Sequence, residues 1–407
     1  MATASNIATS TERPAPPKSV RHRTIARAGI AVGALLAVAV LVPSSLADWA
    51  SVDHPRIAAE IAPWNAAAAA NAAAALKNPR SPEARSLGRT ALARDATEVP
   101  AIELRALDLA MSGKSAEARQ LFELSNELSR RSLPTRLWLI QDSVDHGDVS
   151  GALRNFDIAL RTTTDAQPIL FPVLAKASAD ATLTMPLART LDRKSDWRLT
   201  FLEWVLTNGG QVDGIAKAVA QMNDRRFIVG NGIDQQLIER LAADGQFGAA
   251  NLLNRRFGHP AEGVADSNFA NPSAHYPFGW GLVSDGLLTA ERAISGSTSM
   301  LKYSAAPARS GQVAAQLLML QPGRYALETR TAAQAQGAAP YWNVTCAGED
   351  GAQLAELDQP LDAGAQARTG FTVPAGCTAQ WLTLRIRPSP DATPQSGAIA
   401  SVAMSAG

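Results

Sequence analysis

The sequence predicts a multidomain chain: an N-terminal transmembrane helix, a region of α-hairpin repeats and a C-terminal antiparallel β-sandwich. Three observations predict it. Residues 28–47 form a run of 20 uncharged residues, mostly Ala, Val, Leu and Ile. Gly113, Ala118, Phe122, Leu124, Ser125 and Pro134 recur 34 residues later as Gly147, Ala152, Phe156, Ile158, Ala159 and Pro168. All four Tyr and both Cys fall after residue 266, among short apolar or alternating runs set between Gly and Pro.

At 407 residues the chain has room for two or three domains, each with a core of its own. The net charge of +1 hides a basic start, Arg13, Lys18, Arg21, Arg23 and Arg27 against Glu12. Elsewhere the charges balance, which excludes the extended basic surface that nucleic-acid binding needs. A helix of about 20 apolar residues crosses about 30 Å of hydrocarbon. Arg21, Arg23 and Arg27 would keep its N-terminus in the cytoplasm, and Trp49 would sit at the far interface. Ser45-Leu46-Ala47, shortly after Pro43, also has the small-x-small form of a signal-peptide cleavage site. The expected location is therefore a single-pass inner-membrane protein, N-terminus cytoplasmic and bulk periplasmic, or a soluble periplasmic protein after cleavage. The expected segments are a cytoplasmic basic tail (1–27), a transmembrane helix or signal anchor (28–47), a helical repeat region (48–262) and a β-sandwich (266–407).

Apolar residues spaced three and four apart predict helices over 56–76, 82–95, 101–112, 115–131, 135–145 and 149–161. Further helices are predicted over 168–180, 183–192, 196–207, 212–223, 233–243 and 246–257. The 34-residue period, with Gly, then Ala, then Phe, resembles tetratricopeptide (TPR) repeats over about 101–168. Small Ala or Ser lets two helices approach, Phe fills the groove between them, and Gly and Pro end helices. Gly245 and Ala250 repeat the Gly-to-Ala spacing. The usual Trp, Leu-Gly and Tyr of the first helix are replaced by Ile102, Arg105, Ala106 and Leu109, so an irregular α-hairpin array is expected. The resemblance implies a scaffold that holds a protein partner. The alanine run at 66–70 and 72–75 forms helix readily but offers little to pack, and is expected to be a stalk or to lie against the membrane side.

Strands are predicted over 299–305, 312–320, 324–331, 341–346, 353–357, 367–373, 380–387 and 398–404, which suits a sandwich. Gln316-Leu317-Leu318-Met319-Leu320-Gln321-Pro322-Gly323-Arg324-Tyr325 reads as strand, Pro-Gly turn, strand, and is expected to be a hairpin. That stretch, with Asn268-Phe269 and Phe278-Gly279-Trp280 before it, resembles jelly rolls of the carbohydrate-binding-module or galactose-binding type over 266–407. The resemblance implies contact with a polysaccharide.

Cys346 and Cys377, two cysteines in one exported β domain, are expected to pair. His22, His54, His146, His259 and His275 keep no metal-ligand spacing, and no G-x-S-x-G or phosphate-binding loop occurs. No catalytic residue, metal or cofactor is assigned. Asp142 and Asp145 beside His146 read as a solvated turn. Tyr276, Trp280, Tyr303, Tyr341 and Trp342, expected in loops or at strand ends, are the candidate ligand-binding residues, because sugar rings stack on flat aromatic faces. The competing reading makes Trp280 and Trp342 core residues. Trp381 and Tyr325 are expected in the core, and Trp138, Trp197 and Trp204 between helices. The expected function is a non-catalytic, membrane-anchored periplasmic scaffold for envelope or exopolysaccharide assembly. A protein-only adaptor and a glycan-active hydrolase are the alternatives.

Overall fold

The computed structural model describes residues 42–407 apart from 44, 48, 51–52, 77, 259–262, 272–274, 349–350 and 390–392. Most of the apolar stretch 28–47 lies outside the described residues. Among those described, no helix is long and apolar enough to cross a membrane. By packing, the chain divides into Met1–Leu139 and Ile140–Gly407, a division that falls inside a helix. The change from helix to strand comes later, between Phe257 and Gly281.

The first unit contains α1 (Pro55–Ile61), α2 (Ala66–Ala74), α3 (Pro82–Arg94), α4 (Val99–Ala110), α5 (Ser115–Leu128) and the opening of α6 (Leu133–Asp145). The single helix expected over 56–76 is broken. Pro63 lacks the N–H that would extend the first helix. Asn65 then caps the second, its side chain accepting from the Ala68 N–H at 3.0 Å. The alanine run is not a stalk. Ala68, Ala69, Ala70, Ala72 and Ala73 are buried, and α2 packs against α1, α3 and α4. Side chains of one methyl let those helices close in, and Gly88 serves the same end, since a Cβ there would stand 2.9 Å from Leu104 Cδ2. The buried Glu103 carboxylate accepts from Ser125 Oγ (3.1 Å), Thr135 Oγ1 (2.6 Å) and Ser132 Oγ, tying α4 to α5 and to the start of α6. Phe122 stacks on Trp138 at 4.5 Å.

The spaced matches have one structural meaning. Gly113, Gly147 and Gly245 have φ of 77°, 70° and 71°, the left-handed conformation that ends a helix. At each, the residue after the glycine reaches back to the carbonyl five residues earlier: Lys114 to Leu109, Asp148 to Ser143, and Gln246 to Leu241. The alanine five residues on, Ala118, Ala152 or Ala250, is buried in the next helix, as are Phe122 and Phe156. The hairpin turn thus recurs.

The second unit continues with α7 (Val149–Thr162), α8 (Gln167–Ala177), α9 (Thr184–Leu191), α10 (Trp197–Asn208), α11 (Val212–Gln221), α12 (Arg225–Gly230), α13 (Ile233–Ala243) and α14 (Phe247–Phe257). Asp157, buried on α7, accepts from Ser195 Oγ and Trp197 Nε1, both at 3.0 Å. Phe171 of α8 meets Trp204 of α10 at 6.1 Å. Helix α12 was not expected. The Asp224 side chain caps it at the Phe227 N–H (3.2 Å), and the Arg198 guanidinium lies 3.6 Å from the Phe227 ring centre.

The strands are β1 (Gly281–Leu282), β2 (Leu288–Ser295), β3 (Thr298–Ala305), β4 (Gly311–Leu318), β5 (Gly323–Gln336), β6 (Tyr341–Cys346), β7 (Gln353–Asp358), β8 (Gln366–Val373), β9 (Gln380–Ile386) and β10 (Gln395–Ala406). Sheet A has the order β1-β4-β9-β6-β7 and sheet B the order β2-β3-β10-β5-β8, with every pairing antiparallel. The Pro-Gly segment is not a hairpin, because β4 lies in sheet A and β5 in sheet B. Leu318 and Leu327 on its two strands are both buried in the core, so the chain arches over the core's rim rather than folding back in plane. The core between the sheets is built from Leu301, Val313, Leu327, Val344, Leu382, Leu384, Ile399 and Val402.

Candidate binding face

Strand parity sorts the side chains of sheet A. On β9, Leu382, Leu384 and Ile386 are buried to within 2% of complete. Trp381, Thr383 and Arg385 therefore point the other way, away from the core. On β6, Trp342 and Val344 face inward, leaving Tyr341, Asn343 and Thr345 on the outer face. Register aligns these residues in cross-strand rows: Leu317, Trp381 and Thr345; Ala315, Thr383 and Asn343; Gln312, Arg385 and Tyr341.

Tyr276 completes the face from the loop before β1. Its ring lies against Gly281, where a Cβ would stand 2.5 Å from Tyr276 Cδ2, so only glycine admits it. The loop is pinned to the sheet by the Leu317 N–H donating to Pro277 O at 2.6 Å, and Gln235 Nε2 of α13 donates to Tyr276 O at 3.0 Å. Tyr276 is 42% exposed and lies near-parallel to Trp381, at 24° with ring centres 6.2 Å apart. Burial, and then the nearby Glu239 carboxylate, push its phenol above the ordinary range, so it stays a neutral donor at neutral pH. Beside the two rings is a depression of about 240 Å³ lined by Tyr276, Gln312, Ala315, Asn343, Thr345, Trp381, Thr383 and Arg385. It offers flat apolar rings, amides, hydroxyls and one guanidinium on a rigid sheet.

The other expected site residues lie elsewhere. Trp342 is fully buried, and its Nε1 donates to Gln359 Oε1 at 2.9 Å and to Thr329 Oγ1 at 3.2 Å. Trp280 is 5% exposed, packs on Trp342 with ring centres 5.7 Å apart, and donates to Asp266 O at 3.2 Å. Tyr303 is 3% exposed on the inner side of β3. None of the three presents a ring to a ligand, because each is itself packed into the core between the sheets. Tyr341 is on the outer face, but the Arg387 guanidinium covers its ring at 4.1 Å from the centre. Trp381, expected in the core, is the residue the sequence reading missed. The alternation in Gln380-Trp381-Leu382-Thr383-Leu384-Arg385-Ile386 groups Trp with Thr and Arg, not with Leu and Ile, and was the signal available.

Cys346 and Cys377 form a disulfide with Cα atoms 5.5 Å apart, closing the end of β6 onto the loop before β9. Among the described residues no three His, Cys, Asp or Glu converge to hold a metal ion.

No family model matches the chain, and no curated protein matches its sequence. Solved structures with partial likeness include the enzymatically active domain of a bacteriophage CBA120 tailspike protein, at 12% identity and TM-score 0.27 over 36% of this chain, which spans 21% of that one. A xylan-binding domain from Paenibacillus barcinonensis aligns at 13% identity and TM-score 0.25, over 35% of this chain and 94% of that one. A family 11 carbohydrate-binding module from Clostridium thermocellum, solved with a mixed-linked tetrasaccharide, aligns at 6% identity and TM-score 0.23, over 36% and 96%. The chemistry of the present face stands on its own side chains.

Proposed function

We propose that the outer face of sheet A binds a saccharide and that the chain is a non-catalytic envelope scaffold. The observation that carries the reading is the near-parallel Tyr276–Trp381 pair beside a depression of amide and hydroxyl groups. Sugar rings offer C–H faces to aromatic planes and hydroxyls to neighbouring polar groups, and this face has both. The TPR-like hairpins, with their repeated glycine turn, would hold a protein partner. Residues 28–47 would anchor the chain with its bulk in the periplasm. That placement is supported by the arginines before the apolar run and by Trp49 after it, whose side chain is 79% exposed.

The test is affinity electrophoresis of the purified full chain against a panel of polysaccharides. Stacking of this kind contributes about 1 kcal/mol per ring, so affinities between micromolar and millimolar are expected. Trp381→Ala should weaken retention at least about fivefold while the melting curve stays close to that of the parent. If no polysaccharide retards the parent chain, the protein-only adaptor becomes the better account.

A further inference from the structure

We infer that the saccharide taken by this face is anionic, a polymer bearing uronate carboxylates, and that Arg385 receives the carboxylate. The inference rests on the reading of the face as a saccharide site.

Arg385 is half-buried and lines the depression between Gln312 on β4 and Tyr341 on β6. Among the described residues, none accepts a hydrogen bond or ion pair from its guanidinium. The acids in its neighbourhood are already engaged. Glu356 and Asp358 of β7 both bond to Arg387, at 2.7 Å and 2.6 Å, and Arg387 is seated on the Tyr341 ring. Glu239 lies on the helical side of Tyr276 and accepts from Gln235. Asn343 lines the same depression, and its Oδ1 is closed off from solvent with no hydrogen-bond partner among the described residues.

A neutral sugar seated over Arg385 would strip water from a cation and return no charge, which is unfavourable. A carboxylate removes that cost and matches the planar guanidinium with two parallel hydrogen bonds. The aromatic pair holds the ring, and Arg385 selects its charge.

The experiment compares polygalacturonate with the same polymer after carboxyl reduction, which turns each carboxylate into a neutral hydroxymethyl on an unchanged backbone, using the full chain in affinity electrophoresis at low and raised salt. The charged polymer should bind at least about tenfold more tightly at low salt, and salt should shrink the difference. Arg385→Gln should erase the preference, Arg385→Lys should keep part of it, and melting curves should confirm that both fold. Equal retention of the two polymers, or a preference that survives Arg385→Gln, overturns the inference while leaving a saccharide site in place. Retention of neutral polysaccharides with none of polygalacturonate does the same. Failure of the parent chain to retain any polysaccharide sinks the underlying reading instead.

Discussion

The two outer faces of the sandwich are built by the same rule and look different. Sheet A turns Tyr276, Trp381, Asn343, Thr383 and Arg385 outward around a depression of about 240 Å³. Sheet B turns out Thr289, Glu291, Lys302 and Ser304, with Glu291 opposite Lys302 across β2 and β3, and Glu328 opposite Arg368 across β5 and β8. Opposite charges facing each other across strands keep a sheet soluble and in register. Sheet A has such pairs as well, Arg387 with Glu356 and Asp358, but beside them it sets two rings and the Arg385 guanidinium, which has no acceptor among the described residues. The same contrast separates the two tryptophans of sheet A. Trp342 and Trp381 lie on adjacent strands, yet one is sealed with its N–H satisfied and the other lines an open face.

That contrast is sharpest in stability. Trp342→Ala empties the centre of the core and strips a hydrogen bond from Gln359, and should cost about 3–5 kcal/mol in denaturant unfolding. Trp381→Ala should cost far less. If the two variants unfold alike, the division into inner and outer tryptophans is wrong. Replacing both Cys346 and Cys377 by Ser opens a loop with a sequence separation of 31 and should cost about 3–4 kcal/mol on the chain-entropy account. Because the disulfide closes β6 against the segment before β9, loosening it should also weaken polysaccharide retention. Unchanged retention would show that the face does not depend on that closure.

Tyr303 tests the inner side of sheet B. Its hydroxyl is buried with no hydrogen-bond partner among the described residues, and burial pushes its phenol up to about 12. Ionising it in the folded state is unfavourable. The stability it protects is complete below the unfolded value near 10 and is lost as the pH rises through about 12. Tyr303→Phe should leave neutral-pH stability unchanged or raise it by up to about 1 kcal/mol, and should flatten the alkaline loss. A clear destabilisation at neutral pH would reveal a hydrogen-bond partner for the hydroxyl.

Strands were legible where alternation was clean. The strand expected over 341–346 is β6 to the residue, and the one expected over 353–357 ends one residue short of β7. Strand β2 was not legible because Arg292 occupies an inward position, where its Nε donates to Asp266 Oδ2 at 3.3 Å, so the apolar alternation breaks at an ion pair. Helices were legible from their spacing, except where a proline and an asparagine cap split the first one and where the short α12, only six residues long, gave no period to read. The candidate site was half legible. Tyr276 was named, and the inward parity of Trp342 was available but outweighed by its place near a strand end.

The sequence by itself determined the periods and the helix-ending glycine turns, because these are local: alternation names a strand's two sides, and a glycine able to take positive φ ends a helix; the cysteine pair followed from there being two cysteines in one β region. Only the tertiary structure decided which side of each strand met the opposite sheet, that β4 and β5 part into different layers, and that the Tyr276 loop lies over Gly281 beside Trp381. Those outcomes depend on residues far apart in the chain competing for one core, and no local pattern records which of them wins.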